Sequence, residues 1–132
     1  MHQSGELLKE LLSKRGLQND EEIQAFLNPD YDRDFHDPFL MRDMERACVR
    51  LYEAIDSNEK IIIYADYDCD GIPGAVILSD LLKKIDYKNF EVYIPQRNSE
   101  GYGLNLEAIE KFVDSGAKLI ITIDLGITAV AE

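Results

Sequence analysis

Five apolar residues, Ile61-Ile62-Ile63-Tyr64-Ala65, run straight into Asp66-Tyr67-Asp68-Cys69-Asp70-Gly71, and this junction limits what the chain can fold into more than any other stretch. An apolar run of that length fits a strand buried in a sheet, and side chains two apart on an extended backbone point the same way. Asp66 and Asp68 therefore share a face. Like charges held that close raise the energy of the folded state unless a cation or protons neutralise them or water screens them. A ligand set made only of carboxylates suits a hard divalent ion such as magnesium or manganese, whereas zinc favours nitrogen and sulfur. The junction reads as a metal site.

At 132 residues, 45% of them hydrophobic, the chain has the material for one packed core. It contains no apolar run approaching the roughly 18 residues of a membrane span, and no leader with a charged start and an apolar middle. A soluble, cytoplasmic protein with no membrane partner is expected. The two cysteines, Cys48 and Cys69, are too few and too far apart for a zinc site or a disulfide framework and read as free thiols, Cys48 on the buried face of a helix. A net charge of −12 argues against a general nucleic-acid-binding surface, because phosphate contacts are normally supplied by Lys and Arg. Any nucleic acid has to approach bound ions and a few positive residues, or use surface outside this chain.

Leucines at helical spacing predict a short amphipathic helix from Glu6 to Leu12, with Ser4 as its cap and Gly16 near its end. Asn19 precedes a second helix over residues 20–27 with acids in its first turn, closed by Asn28-Pro29. Residues 28–39 hold two prolines, many aspartates and no periodicity, so an extended connector is expected there, with Asp30-Tyr31-Asp32 as solvated turn residues. From about Leu40 to Ile55, Met44, Ala47, Cys48, Leu51 and Ile55 line one helical face. Beyond the acidic junction the pattern predicts a helix through Ala75–Lys84, a strand over 90–95, a polar glycine loop over 96–103, a helix over 106–113, and a strand over 119–123 closing on Asp124. The fold class is α/β, a three-layer parallel sheet with right-handed crossovers preceded by amino-terminal helices. Residues 1–57 form the helical region and connector, and residues 58–132 the first part of the α/β domain. The last residues, from Gly126, look like the first turn of a further helix. Three parallel strands with a helix cut short leave an open edge, so a longer parent domain is expected.

In open parallel sheets, ligands gather at the carboxyl ends of strands. Asp66 and Asp68 lie at that end of the first strand and Asp124 at that of the third, with helix amino termini at Gly71 and Gly126 offering N–H groups to phosphate. The arrangement suits metal-assisted hydrolysis of a phosphoester. The plainer alternative is that aspartates at strand ends cap helices or sit in turns. Asp70 either binds metal or caps the helix beginning at Gly71, and capping is favoured. In the loop after the second strand, Arg97 either clamps a phosphate or pairs with Glu100, and Tyr102 can stack on a base.

Ala65-Asp66-Tyr67-Asp68-Cys69-Asp70-Gly71, the Pro95 to Leu104 loop containing Glu100-Gly101-Tyr102-Gly103-Leu104, and Thr122-Ile123-Asp124-Leu125-Gly126-Ile127-Thr128-Ala129 together resemble the RecJ branch of the DHH phosphoesterase superfamily. That resemblance implies a single-strand-specific DNA exonuclease digesting from the 5′ end with manganese or magnesium, two ions in the complete protein, acting beside DNA repair, recombination and replication proteins. It places Asp66, Asp68 and Asp124 as catalytic metal ligands, with Asp70 a weaker candidate, and Arg97 and Tyr102 on the DNA path. Tyr64-Ala65 stands where the family often carries His-Gly. The Asp-His-His signature of the superfamily is expected after the third strand, beyond Glu132, so this piece alone is expected to be inactive.

Two other classes compete. Asp68-Cys69-Asp70-Gly71 also resembles the opening of haloacid dehalogenase-like phosphatases, although Ile72 stands where a Thr usually follows. A non-catalytic, replication-associated binding module is the other, against which the intact acids argue. Within the superfamily itself, oligoribonucleases, cyclic-dinucleotide phosphodiesterases and inorganic pyrophosphatases share the metal logic.

Overall fold

The computed structural model of the chain describes residues 2–129. Two compact units divide between Met44 and Glu45. The first carries α1 (His2–Lys14), α2 (Asp20–Leu27), α3 (Tyr31–Asp34) and a 3-10 turn at Pro38–Leu40. The second carries all but the first residue of α4 (Met44–Asp56), then β1 (Lys60–Ala65), α5 (Gly71–Lys84), β2 (Phe90–Tyr93), α6 (Leu106–Asp114) and β3 (Ala117–Ile123).

In the first unit, helix ends are fixed by local hydrogen bonds. Asn19 caps α2 by accepting from the Glu22 N–H at 2.8 Å, as expected of Asn at that position. α1 begins at His2, so Ser4 lies within the helix rather than before its start. Residues 28–39 are not a plain extended connector. Asp30 accepts from the N–H groups of Asp32 and Arg33 and starts α3, and Asp37 accepts from Phe39 and starts the 3-10 turn. Such single turns are set by one capping carboxylate each, which hydrophobic periodicity does not register.

In the second unit β1 is the central strand of a parallel sheet ordered β2-β1-β3. This explains the unbroken apolar run, since a strand flanked on both edges and covered on both faces needs no polar alternation. Ile61, Ile62, Ile63, Tyr64 and Ala65 are fully buried. On one face Ile61, Ile63 and Ala65 pack with Ala54 of α4, Ala75 and Leu82 of α5, and Tyr87. On the other, Ile62 and Tyr64 pack with Ala108 and Phe112 of α6. Burying each isoleucine stabilises the fold by about 1.5–3 kcal/mol, which makes β1 the anchor of everything at its end. α4 starts at Met44 rather than near Leu40, and its Cys48 is half-buried. Arg50 of α4 donates to Glu59 at 2.6 Å and to the Lys118 carbonyl at 3.1 Å, tying that helix to the amino-terminal ends of β1 and β3.

The α/β class and the parallel sheet agree with expectation. A turn closes from the Ala129 N–H to the Gly126 carbonyl at 3.0 Å, and the rest of the helix expected after Gly126 lies outside the described residues. Among the described residues no helix is long and apolar enough to cross a membrane.

Candidate metal centre

Strand register brings the acids together. Ala65 pairs with Ile123 across β1 and β3, and the Asp66 N–H donates to the Ile123 carbonyl at 3.2 Å, so Asp66 and Asp124 leave adjacent strands side by side. Asp68 follows within the same turn. One carboxylate oxygen from each of Asp66, Asp68 and Asp124 lies within 4.8 Å of the others. Asp66 is buried and the other two are exposed. Among the described residues none of the three forms an ion pair with Lys or Arg.

Backbone donors orient two of these groups. Asp66 accepts from the Tyr67 N–H at 2.7 Å through Oδ1, and Asp68 accepts from the N–H groups of Asp70 and Gly71, each at 3.0 Å, also through Oδ1. Each therefore keeps its second oxygen for another partner. Asp68, not Asp70, holds the start of α5, because Asp70 makes no side-chain capping bond. The Gly71 N–H is spent on Asp68 and is not free for phosphate, and Gly126 opens a turn rather than a described helix.

Electrostatics follow from that geometry. The amides of Gly71 and Asp70 hold the Asp68 carboxyl below the ordinary 3.8. Asp124, which has left-handed backbone at φ 59°, is pushed up from 3.8 by partial desolvation and then by the charges of Asp68, Asp70 and Asp66. Asp124 therefore gives up its proton less readily than an ordinary aspartate when no cation is near. A hard cation with oxygen preference fits this donor set, since it takes one free oxygen from each group and relieves their repulsion.

The close approach of α5 makes the cluster compact. A Cβ on Gly71 would lie 2.4 Å from the Asp66 carbonyl oxygen, and one on Gly74 would lie 2.6 Å from Ile123 Cγ2. Only glycine allows the helix to start against the ends of both strands.

The loop after β2 comes to the same edge. The Arg97 guanidinium lies 5.5 Å from the centre of the Tyr67 ring, and Tyr102 meets Tyr67 edge to face at 6.4 Å. Tyr102 is exposed, and its phenol is raised first by the charge of Asp66, then by desolvation, Asp124 and Asp68. Arg97 does not pair with Glu100. Glu100 instead accepts from the Tyr93 hydroxyl and from the Gln96 N–H at 2.7 Å, while the Tyr64 hydroxyl donates to the Gly103 carbonyl at 3.0 Å. Two core tyrosines thus hold the loop from below. A cavity of about 610 Å³ lies between Tyr102–Leu104 and Asp124–Ala129. Tyr67 and the Tyr93–Glu100 contact were not singled out from sequence. The only signal was that Tyr67 lies between two of the acids.

Residues 60–132 match the DHH family, N-terminal domain, and the chain belongs to that family. It is similar to the single-stranded-DNA-specific exonuclease RecJ of Bacillus subtilis, 43% identical over 126 residues that cover 96% of this chain and 16% of that protein. The proteins of the same name from Haemophilus influenzae and Thermus thermophilus are 28% and 33% identical, over 93% and 70% of this chain and 20% and 14% of their own length. The chain spans about a fifth or less of the curated relatives it matches.

Proposed function

We propose that this chain is the amino-terminal part of a metal-dependent exonuclease that hydrolyses phosphodiester bonds of single-stranded DNA from the 5′ end. The observation carrying this reading is the convergence of Asp66, Asp68 and Asp124 within 4.8 Å, with no Lys or Arg paired to them among the described residues. The resemblance of the whole segment to proteins named as single-stranded-DNA-specific exonucleases supports the choice of substrate.

Asp66, Asp68 and Asp124 would hold manganese or magnesium, with Asp70 at the margin. Such an ion, when bound, supplies an activated water and offsets charge on the phosphoryl group. The residues of this chain do the rest. Asp66 and Asp68 present one oxygen each because their other oxygen is tied to backbone. Asp124 would present its carboxylate from the end of β3, where a cation would offset the charges of Asp66 and Asp68 beside it. Arg97 makes no ion pair among the described residues, so its N–H donors remain available to an anion, and Tyr102 offers an exposed ring to a base. Because the chain carries −12, a DNA strand is attracted only where cations and Arg97 locally reverse the sign.

The 132 residues contain no Asp-His-His, the signature that the family resemblance implies for the complete site, and the 132-residue chain alone is inactive in this reading. The test uses 5′-labelled single-stranded DNA with manganese. The intact protein is expected to digest it, and Asp66→Asn, Asp68→Asn and Asp124→Asn to abolish digestion. Robust digestion by the 132-residue chain refutes the requirement for the remainder. Unimpaired digestion by the Asn variants refutes the site.

A further inference from the structure

We propose that Tyr67 is a positioning residue that holds Arg97 and Tyr102 at the rim of the acidic cluster, acting through its ring and not its hydroxyl. The proposal deepens the reading of the 96–104 loop as a nucleic-acid contact and rests on it.

Three observations converge on Tyr67. Its ring is half-buried between the turn after β1 and the loop after β2, and the Arg97 guanidinium sits 5.5 Å from its centre, inside the range where a cation is attracted to an aromatic face. Tyr102 packs against it edge to face at 6.4 Å and 79°, a geometry that aromatic pairs favour. The backbone N–H of the same residue donates to Asp66 Oδ1 at 2.7 Å. One residue therefore joins the acid turn to both groups of the neighbouring loop.

Arg97 is exposed and forms no ion pair or hydrogen bond among the described residues, so the ring is what fixes it there. A guanidinium stacked on a ring keeps its edge donors free, whereas one paired with a carboxylate does not. The Tyr67 hydroxyl forms no hydrogen bond among the described residues, which assigns the role to the ring. Glu100, the nearest carboxylate in sequence, is occupied by Tyr93 and the Gln96 amide and leaves Arg97 to Tyr67.

The test has two parts. In the unmodified protein, NMR should show the Arg97 side-chain protons shifted upfield by the Tyr67 ring, a shift kept in Tyr67→Phe and lost in Tyr67→Leu. Absence of that shift in the unmodified protein overturns the proposal whether or not the protein is a nuclease. With the intact protein and a single-stranded oligonucleotide, Tyr67→Leu should raise KM about two- to fivefold with kcat nearly unchanged, and Tyr67→Phe should keep the parent KM. On an Arg97→Ala background Tyr67→Leu should add little, since both substitutions remove one interaction. Additive effects, loss of kcat at constant KM, or a Phe variant as impaired as Leu overturn the proposal. If the intact protein leaves the oligonucleotide uncut, the nuclease reading fails while the NMR result still decides the role of Tyr67.

Discussion

Replacing Gly71 by alanine tests the packing that sets the acidic cluster in place. Gly71 is the first residue of α5, and a methyl group there would approach the Asp66 carbonyl oxygen to 2.4 Å and its carbonyl carbon and nitrogen to 2.8 Å. All three atoms are backbone of a residue locked into the sheet by its bond to Ile123, so no side-chain rotation relieves the clash. Overpacking of this kind costs about 1–3 kcal/mol, and contact with fixed backbone belongs at the upper end. Helix propensity opposes it, because alanine is favoured over glycine by up to about 1 kcal/mol within a helix. The clash wins, and a net loss of about 1–2 kcal/mol is expected. The urea midpoint in the presence of chelator should fall with an unchanged slope. Manganese affinity should fall with it, since moving Gly71 displaces the N–H that orients Asp68. Gly5 is the control: it lies within α1, a Cβ there meets nothing within 4 Å, and Gly5→Ala should stabilise its helix by up to about 1 kcal/mol. A Gly71→Ala protein as stable as the parent refutes the close approach of α5 to β1.

Asp124→Asn should stabilise the metal-free protein near neutral pH by removing a repelled charge, yet weaken manganese binding more than about tenfold, as calorimetry would show. In chelator, the contribution of Asp124 to stability is present below its ordinary 3.8 and lost as pH rises through its raised folded value; that of Asp68, whose carboxyl is held down, is present above 3.8 and lost as pH falls through its lowered value. Thermal melts should show that the part of the stability decline above 3.8 due to Asp124 is reversed by saturating manganese, because the cation neutralises the carboxylates that repel one another. Tyr93→Phe removes the hydroxyl that Glu100 accepts from, and should cost about 0.5–1.5 kcal/mol while speeding amide exchange through residues 96–104. Unchanged exchange there would show that the loop is held by other contacts.

The central strand and the convergence of Asp66 with Asp124 were legible in the sequence, because an apolar run of strand length and an acid at each strand end are local signals that parallel pairing converts into proximity. Loop hydrogen bonding was not. Asp68 and Asp70 are equally able to cap α5 on paper, and only the turn geometry assigns the Gly71 amide to Asp68. Arg97 and Glu100 are close enough in sequence to pair. Tyr93 and Tyr67, brought near by packing of β2 and β1, compete for them and win. The short helices within residues 28–39 escaped for a related reason: they rest on the single carboxylates of Asp30 and Asp37 and bury no apolar face that periodicity could reveal.

Anomalous diffraction from manganese-soaked crystals bears most directly on the shared cation site. A peak coordinated by carboxylate oxygens of Asp66, Asp68 and Asp124 is the expected result, with the Tyr67 and Gly71 amides still bound to the second oxygens of Asp66 and Asp68. Manganese elsewhere on the surface, with those three side chains unliganded and turned apart, would contradict the account.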